Sequence, residues 1–126
     1  MDNLELTWQT FEFHSGNIME LEGEYEQMLK KANILLKKQV PATKWEKLDM
    51  KNKTIALCNK LISSYSKHIA CINDLIALYK YNLLNGIAIP EERNTDIELF
   101  KELKDVSATL AEEMKVYKSN LSDLLS

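Results

Sequence analysis

The sequence predicts an all-α fold, an elongated antiparallel bundle of three long helices that pack through heptad repeats as in a coiled coil. Apolar residues recur every seven positions, capping-box pairs precede three helical stretches, and only three Gly and two Pro interrupt 126 residues. In the middle of the chain the seven-residue series comprises Leu48, Ile55, Ile62, Ile69, Ile76 and Leu83. Because a helix lying lengthwise in a bundle places such a series on one side, we expect residues 1–126 to form a single helical domain.

The first helix is predicted over residues 3–38, with Asp2 and Glu5 as its capping box. Its apolar face comprises Leu4, Phe11, Ile18, Leu21, Tyr25, Met28, Ala32 and Leu35. The segment 14–17 has the composition of a turn, although the apolar spacing continues across it. Two alternatives therefore stand: a continuous, bent helix, or a helix split near Ser15-Gly16.

The second helix is predicted over residues 44–84. Pro41 ends the first helix because proline cannot continue the hydrogen-bond ladder, and Thr43 with Glu46 forms the next capping box. Asn85-Gly86 is a typical C-terminal stop signal. A second apolar stripe beside the isoleucines comprises Leu57, Leu61, Tyr65, Ile72, Leu75, Leu78 and Tyr79. A helix with two apolar faces has two helical neighbours, so this helix is expected in the middle of the bundle.

The third helix is predicted over residues 96–125. A loop that contains Pro90 precedes it, and Thr95 with Glu98 forms its capping box. Its predicted core positions are Leu103, Leu110, Tyr117 and Leu124, supported by Phe100, Val106, Met114 and Leu121. Short connections between long helices favour antiparallel neighbours, which predicts an up-down-up order.

Charge is strongly segregated along the chain, although the net charge is only −3. Residues 1–29 contain seven acidic side chains and no Lys or Arg, whereas residues 30–60 contain nine Lys against two acids. Antiparallel packing would gather lysines at one end of the bundle, here called the basic end: Lys37, Lys38, Lys44 and Lys47. Two interpretations stay open, namely complementation of helix dipoles by solvated side chains, or contact with an acidic partner.

The sequence contains no pattern typical of an enzyme. It lacks a glycine-rich phosphate loop, a nucleophile elbow and the H-E-x-x-H metal motif. Cys58 and Cys71 lie on one predicted helix, roughly 20 Å apart along its axis, so no disulfide joins them. His14 and His68 lack neighbours at metal-ligand spacing and are expected to be partly exposed. We therefore expect no catalytic activity, no metal and no cofactor.

Partner binding is the function that the sequence favours. We expect a non-enzymatic interaction module, such as an adaptor, an assembly subunit or an inhibitor, that presents helix surfaces to another protein. Besides the lysines of the basic end, the candidate contact residues are Trp8, Trp45, Tyr79 and Tyr81. For Trp8 and Trp45 the alternative is a structural role at the end of the core. Part of the long second helix should remain uncovered, available to a second copy or to a different protein.

The alternative function is docking on an acidic surface through the basic end, either on an anionic membrane or on nucleic acid. Nucleic acid is the weaker candidate because the single Arg, Arg93, falls outside the basic segment. The sequence shows neither a signal-peptide pattern nor an apolar run of the roughly 20 residues that span a bilayer. Cytoplasmic location is therefore the expectation, with nuclear location or signal-independent export as alternatives.

Overall fold

A computed structural model describes residues 3–37 and 43–124, apart from the side chains of Leu36 and Leu124. Within these residues there is no strand, and the chain forms the predicted antiparallel bundle of three long helices: α1 (Asn3–Leu36), α2 (Lys44–Leu84) and α3 (Ile97–Leu124). One short 3₁₀ turn, Glu91–Arg93, lies between α2 and α3. As predicted, α2 is the middle helix and packs against both of the others.

The first helix is continuous, and the alternative of a split near Ser15-Gly16 is wrong. Residues on both sides of this segment are helical, so the apolar face of α1 keeps its phase along α2. Asn17 does not cap a new helix because its side-chain amide instead donates a hydrogen bond of 3.3 Å to the Ser64 hydroxyl on α2. Packing against α2 thus overrides the local turn signal. Asp2, from the predicted capping box of α1, lies outside the described residues.

Both ends of α2 follow the predicted signals. The Glu46 amide donates to the Thr43 hydroxyl at 3.1 Å, and the Thr43 amide donates back to the Glu46 carboxylate at 3.3 Å. At the other end, the Asn85 amide donates to the Tyr81 carbonyl at 3.1 Å. Gly86 then takes the left-handed conformation, with φ of 65°, that stops a helix at low cost.

The start of α3 differs from the prediction by one residue. The Asp96 carboxylate, and not Thr95, accepts the hydrogen bond from the Glu98 amide, at 3.0 Å. Asp96 directly precedes the first helical residue, Ile97, and an acceptor at that position reaches the second free amide of the helix. The predicted pairing of Thr95 with Glu98 is therefore replaced by a simple aspartate cap.

The buried face of α2 is shifted by about one residue from the predicted isoleucine series. Of that series only Ile76 is buried, whereas Ile55, Ile62 and Ile69 are half-buried, and the two terminal leucines are exposed. The buried line instead comprises Thr54, Cys58, Leu61, Tyr65, His68, Ile72, Leu75 and Tyr79. Because α2 packs against two helices, its most buried residues are those on the side that faces both α1 and α3. These residues include most of the predicted second stripe.

The third helix also buries a different line from the predicted one. Phe100 and Met114 are buried as expected, but Leu103 and Tyr117 are 43% and 44% exposed, and Val106 is 54% exposed. The small residues Ser107 and Ala111 are buried in their place. The distance between packed helices depends on the side chains at the contact, so small residues let α3 lie close to α2. This rotation leaves an apolar stripe of α3 at the surface.

The core has two hydrophobic clusters, and both draw on all three helices. One comprises Ile18, Tyr25, Met28, Cys58, Leu61, Tyr65, Ala111 and Met114; the other comprises Leu4, Ile72, Leu75, Ile76, Tyr79 and Phe100. The backbones of α1 and α3 nevertheless stay apart, since in the described part of the chain no Cα of α1 lies within 8 Å of a Cα of α3. The bundle is therefore open along the side where α1 and α3 face each other.

Candidate functional site

The predicted aromatic contact residues do not form one site. Trp45 and Tyr81 are 76% and 58% exposed, but they lie at opposite ends of α2, about 54 Å apart at 1.5 Å per residue. Trp8 is half-buried, and Tyr79 is only 1% exposed. Tyr79 therefore has a core position and offers almost no surface to a partner.

The basic end is present at the surface in part. Lys37 and Lys44 are exposed, Lys47 is half-buried, and Lys38 lies outside the described residues. A shallow groove between α1 and α2 also has lysines along it, with Lys31, Lys53 and Lys60 around Met28, Met50 and Leu57. The positive side chains thus extend from the basic end along the α1–α2 face of the bundle.

Trp8 and Tyr79 belong to a hydrogen-bond network at the end of the bundle opposite the basic end. The Trp8 indole donates to the Tyr79 hydroxyl at 2.9 Å, and that hydroxyl donates to the Arg93 carbonyl. The Arg93 guanidinium lies 5.0 Å from the centre of the Trp8 ring, bonds both oxygens of Glu5 at 2.8 and 3.0 Å, and reaches Glu12 at 2.6 Å. Arg93 holds the pKa of Glu5 below its usual value. This network joins the α2–α3 connection to α1. In the sequence, the feature that could have indicated it is the single Arg of the chain, which lies among acidic residues.

The two histidines are neighbours between α1 and α2, and only His68 is buried. His68 is buried, which differs from the predicted partial exposure, and its ring stacks on Phe11 with centroids 4.8 Å apart. His14 lies 6.5 Å away, and the His68 Nδ1 atom has no hydrogen-bond partner in the structure. Burial lowers the pKa of His68, and the charge of His14 lowers it further. No group of three potential metal ligands occurs in the described ranges.

The two cysteine thiols are buried and free. The Cys71 thiol donates a hydrogen bond of 3.4 Å to the Thr7 carbonyl of α1. Burial raises the pKa of both thiols, with a smaller raising effect of Asp74 on Cys71 and a smaller lowering effect of Lys118 on Cys58. Because the thiolate is the nucleophile, both side chains are packing residues rather than reactive groups.

An apolar groove runs between α1 and α3, with a volume of about 590 Å³. Leu61 and Tyr65 of α2 form its floor. Its walls comprise Glu22, Tyr25, Glu26 and Leu29 from α1, and Leu110, Met114, Tyr117, Asn120 and Leu121 from α3. The rings of Tyr25 and Tyr117 face each other across it with centroids 6.5 Å apart. The groove exists because side chains, and not close backbone packing, join α1 to α3.

The α3 wall continues beyond the groove as an exposed apolar stripe. Its members recur at intervals of three, four and seven residues: Leu99, Leu103, Val106 and Tyr117 are exposed, and Leu110 between them is half-buried. This spacing places them on one side of α3, the side that lines the groove at Leu110 and Tyr117. A line of uncovered apolar surface thus lies on α3. The sequence predicts uncovered apolar surface on α2, where the exposed apolar residues lie near its two ends, among them Trp45, Leu48, Leu83 and Leu84. We call the five stripe residues of α3 together with the groove the α1–α3 surface.

The charges beside the α1–α3 surface are acidic. Glu22 accepts a hydrogen bond of 3.2 Å from the Tyr65 hydroxyl, and Glu26 lies one turn further along α1. Burial raises the pKa of Tyr65, and the charges of Glu22 and Glu113 raise it further. Helical spacing places the lysines of α3 away from the groove, and Lys118 bonds Asn59 of α2 at 3.1 Å.

Comparisons with protein-family models, with curated proteins and with solved structures find no match to this chain. Among the described residues, no helix combines the length and the apolar character that crossing a bilayer requires.

Proposed function

We propose that this protein is a non-enzymatic protein-binding module that receives a helix of its partner on the α1–α3 surface. The observation that supports this most strongly is the exposed stripe of α3, whose heptad spacing is that of a helix–helix contact. Contiguous apolar surface of this kind commonly marks an interaction site in a water-soluble bundle.

The shape of the opening favours a helix as the bound element. A helix laid over the groove between α1 and α3, opposite α2, would complete a four-helix bundle, resting on the side chains that join the two helices, such as Tyr25 and Tyr117. Amphipathic helices bind such grooves with apolar residues three, four and seven positions apart. An adaptor, an assembly subunit or an inhibitor would each work through such a contact.

The test uses substitutions on two exposed valines of the same helix. Val106→Glu places a charge in the α3 stripe, whereas Val116→Glu, at 56% exposure, places it about 80° further round the helix. The probe is a neutral 21-residue model peptide of about six turns, with Leu at heptad core positions and Gln or Ser elsewhere. We expect the peptide to bind the wild-type protein and the Val116→Glu variant, and to lose at least about tenfold in affinity for Val106→Glu.

Both variants should keep the circular dichroism spectrum of the wild type because both positions are exposed. Equal binding of the peptide to all three proteins, or binding to none of them, would contradict the proposed function.

A second candidate function is docking of the basic end on an anionic membrane. The observation that favours it is the excess of positive charge from Lys37 and Lys44 to Lys31 and Lys60 in the α1–α2 groove, where Asp49 pairs with Lys53 at 2.9 Å and Glu24 is the acidic residue of the lining. Nucleic acid is less favoured because the one Arg is held by two carboxylates at the other end. Co-sedimentation with phosphatidylserine vesicles tests this candidate. Binding should weaken steeply with salt and with the double substitution Lys37→Glu and Lys44→Glu, and should be absent with phosphatidylcholine vesicles.

A further inference from the structure

The acidic side chains that border the α1–α3 surface constrain the chemistry of its partner. We infer that the bound helix is a basic amphipathic helix, with Lys or Arg on both sides of its apolar face. This inference rests on the proposed function and adds to it the charge of the partner.

Carboxylates border the groove on both sides. Glu22 and Glu26 line its α1 wall, and Glu113 lies one helical turn from both Leu110 and Tyr117 of its α3 wall. Glu102 precedes Glu113 by eleven residues, three helical turns, so it lies on the same side of α3 about 16 Å away. Both walls of the groove therefore have acidic borders where Glu22 and Glu26 lie opposite residues 110–121 of α3.

Ion pairs do not neutralise the carboxylates beside the groove in the described residues, although Lys30 lies one turn after Glu26 on α1. In the part of the chain that the structure describes, none of Glu22, Glu26 and Glu113 forms an ion pair. The lysines of α3 are directed elsewhere: Lys101 and Lys115 pair with Glu98 and Glu112 on the outer surface. The negative charge at the borders of the groove is thus available to a partner.

Covering the groove changes the solvation of these carboxylates. A helix that lies between α1 and α3 places the residues flanking its apolar face beside these borders, as flanking positions do in a coiled coil. Docking removes water from carboxylates that are now partly solvated, and leaving a desolvated charge without a partner is costly. Lysine or arginine on the flanks offsets that cost, whereas acidic flanks add repulsion. The borders therefore select for a basic helix and against an acidic one.

The experiment compares three peptides on the unmodified protein. They share the Leu heptads of the neutral model peptide and differ only at the flanking positions, which are Lys, Gln or Glu. Fluorescence anisotropy at low ionic strength should show at least about tenfold tighter binding of the Lys peptide than of the Gln peptide, and the weakest binding for the Glu peptide. This difference should shrink severalfold at high salt because the Debye length falls from about 10 Å at 0.1 M to about 3 Å at 1 M.

Matched variants identify the carboxylates responsible. The double substitution Glu26→Gln and Glu113→Gln should remove most of the preference for the Lys peptide while the Gln peptide binds as before. The control is the double substitution Glu24→Gln and Glu112→Gln, which changes the net charge equally. Glu24 lines the α1–α2 groove and Glu112 pairs with Lys115, so this variant should keep the preference for the Lys peptide. Circular dichroism should report the same helix content for both.

The outcomes separate this inference from the proposed function. Equal affinity of the three peptides, or an unchanged preference in the Glu26→Gln and Glu113→Gln variant, overturns the basic partner and leaves the helix-binding groove intact. Binding of no peptide overturns both. Light scattering that reports twice the 14.6 kDa mass for the wild type, and a monomer for Val106→Glu, identifies a second copy as the occupant and also overturns the basic helix.

Discussion

The Trp8 indole donates a hydrogen bond of 2.9 Å to the hydroxyl of Tyr79, a residue that lies 71 positions later in the chain. Because that hydroxyl in turn donates to the Arg93 carbonyl, it joins the start of α1, the end of α2 and the connection to α3. Both aromatics have explicit polar partners, as is usual when Tyr and Trp are buried. The network lies at one end of the bundle, where the Trp8 and Tyr79 rings also contact Phe100, with centroids 5.6 and 5.4 Å away.

Substitution Tyr79→Phe should lower the free energy of unfolding by about 1–3 kcal/mol, because it leaves the Trp8 indole N–H and the Arg93 carbonyl without their partner in a site with little water. Urea unfolding followed by circular dichroism measures this change. The control is Tyr81→Phe, at an exposed position two residues later on the same helix. Coincident unfolding curves for the two variants would show that the hydroxyl contributes nothing.

Substitution Arg93→Ala should lower the thermal midpoint of the protein near neutral pH. It should also reduce the fall of that midpoint as the pH is lowered into the acidic range. Arg93 holds the pKa of Glu5 below its ordinary 4.5, so the pair stabilises the fold fully above pH 4.5, and this contribution is lost as the pH falls through the lowered pKa. Arg93→Lys should restore little, since an ammonium cannot reproduce the bidentate contact with Glu5. The measurement is the thermal midpoint across acidic pH, with Lys101→Ala as a surface-pair control. A variant as acid-sensitive as the wild type would contradict this account.

The stability of the wild-type protein should rise with pH through about 6.5 because of His68. Its pKa is lowered from the ordinary 6.5 by burial and by His14, so the unfolded chain binds the proton more readily than the native state does. Below pH 6.5 protonation therefore favours unfolding. His68→Gln should remove most of this slope in urea midpoints between pH 5 and pH 7, and the imidazole NMR titration of the wild type should give His68 a pKa below 6.5. A His68 titration at or above that value would contradict the burial of the ring.

Two glycines should respond to alanine in opposite directions. Gly16 is helical and an added Cβ would meet no atom within 4 Å, so Gly16→Ala should raise the free energy of unfolding by about 0.5–1 kcal/mol. Gly86 has equally open surroundings but a φ of 65°, so Gly86→Ala should lower the stability by roughly 1 kcal/mol. Thermal unfolding of both variants measures this. A destabilising Gly16→Ala would indicate that α1 is bent or broken at that residue.

The positions of the helices could be predicted from the sequence because their signals are local. Two examples are the capping box of Thr43 and Glu46 and the C-terminal stop at Asn85-Gly86. Their hydrogen bonds join residues only a few positions apart, and both signals lie at the predicted ends of α2. The start of α3 was displaced by one residue because two adjacent side chains, Thr95 and Asp96, are both good caps. Local preference alone does not choose between them.

The sequence could predict that apolar surface remains uncovered, but not which residues form it. An uncovered apolar stripe follows from the excess of apolar positions, but its place on α3 depends on how closely each helix approaches α2. Ser107 and Ala111 bring α3 against α2 and rotate Leu103 and Val106 outward, which no local signal specifies. The sequence likewise points to aromatics as contact residues, yet Tyr79 is buried by residues far along the chain.

The seven-residue spacing alone does not predict which side of α2 is buried, and two of its isoleucines allow a direct test. Ile69 belongs to the predicted seven-residue series but is half-buried, whereas Ile72 is 0% exposed and contacts the Leu4 and Phe100 cluster. Both are isoleucines within one turn of the same helix, so they differ mainly in burial.

Ile72→Ala should lower the free energy of unfolding by about 2–5 kcal/mol, because it removes buried methyl groups and leaves a cavity. Ile69→Ala should lower it by less than half as much, because water or neighbouring side chains can fill the space at the surface. Urea unfolding of the two variants decides the register: a larger loss for Ile69→Ala would restore the isoleucine series to the centre of the core and place the α1–α3 groove in doubt.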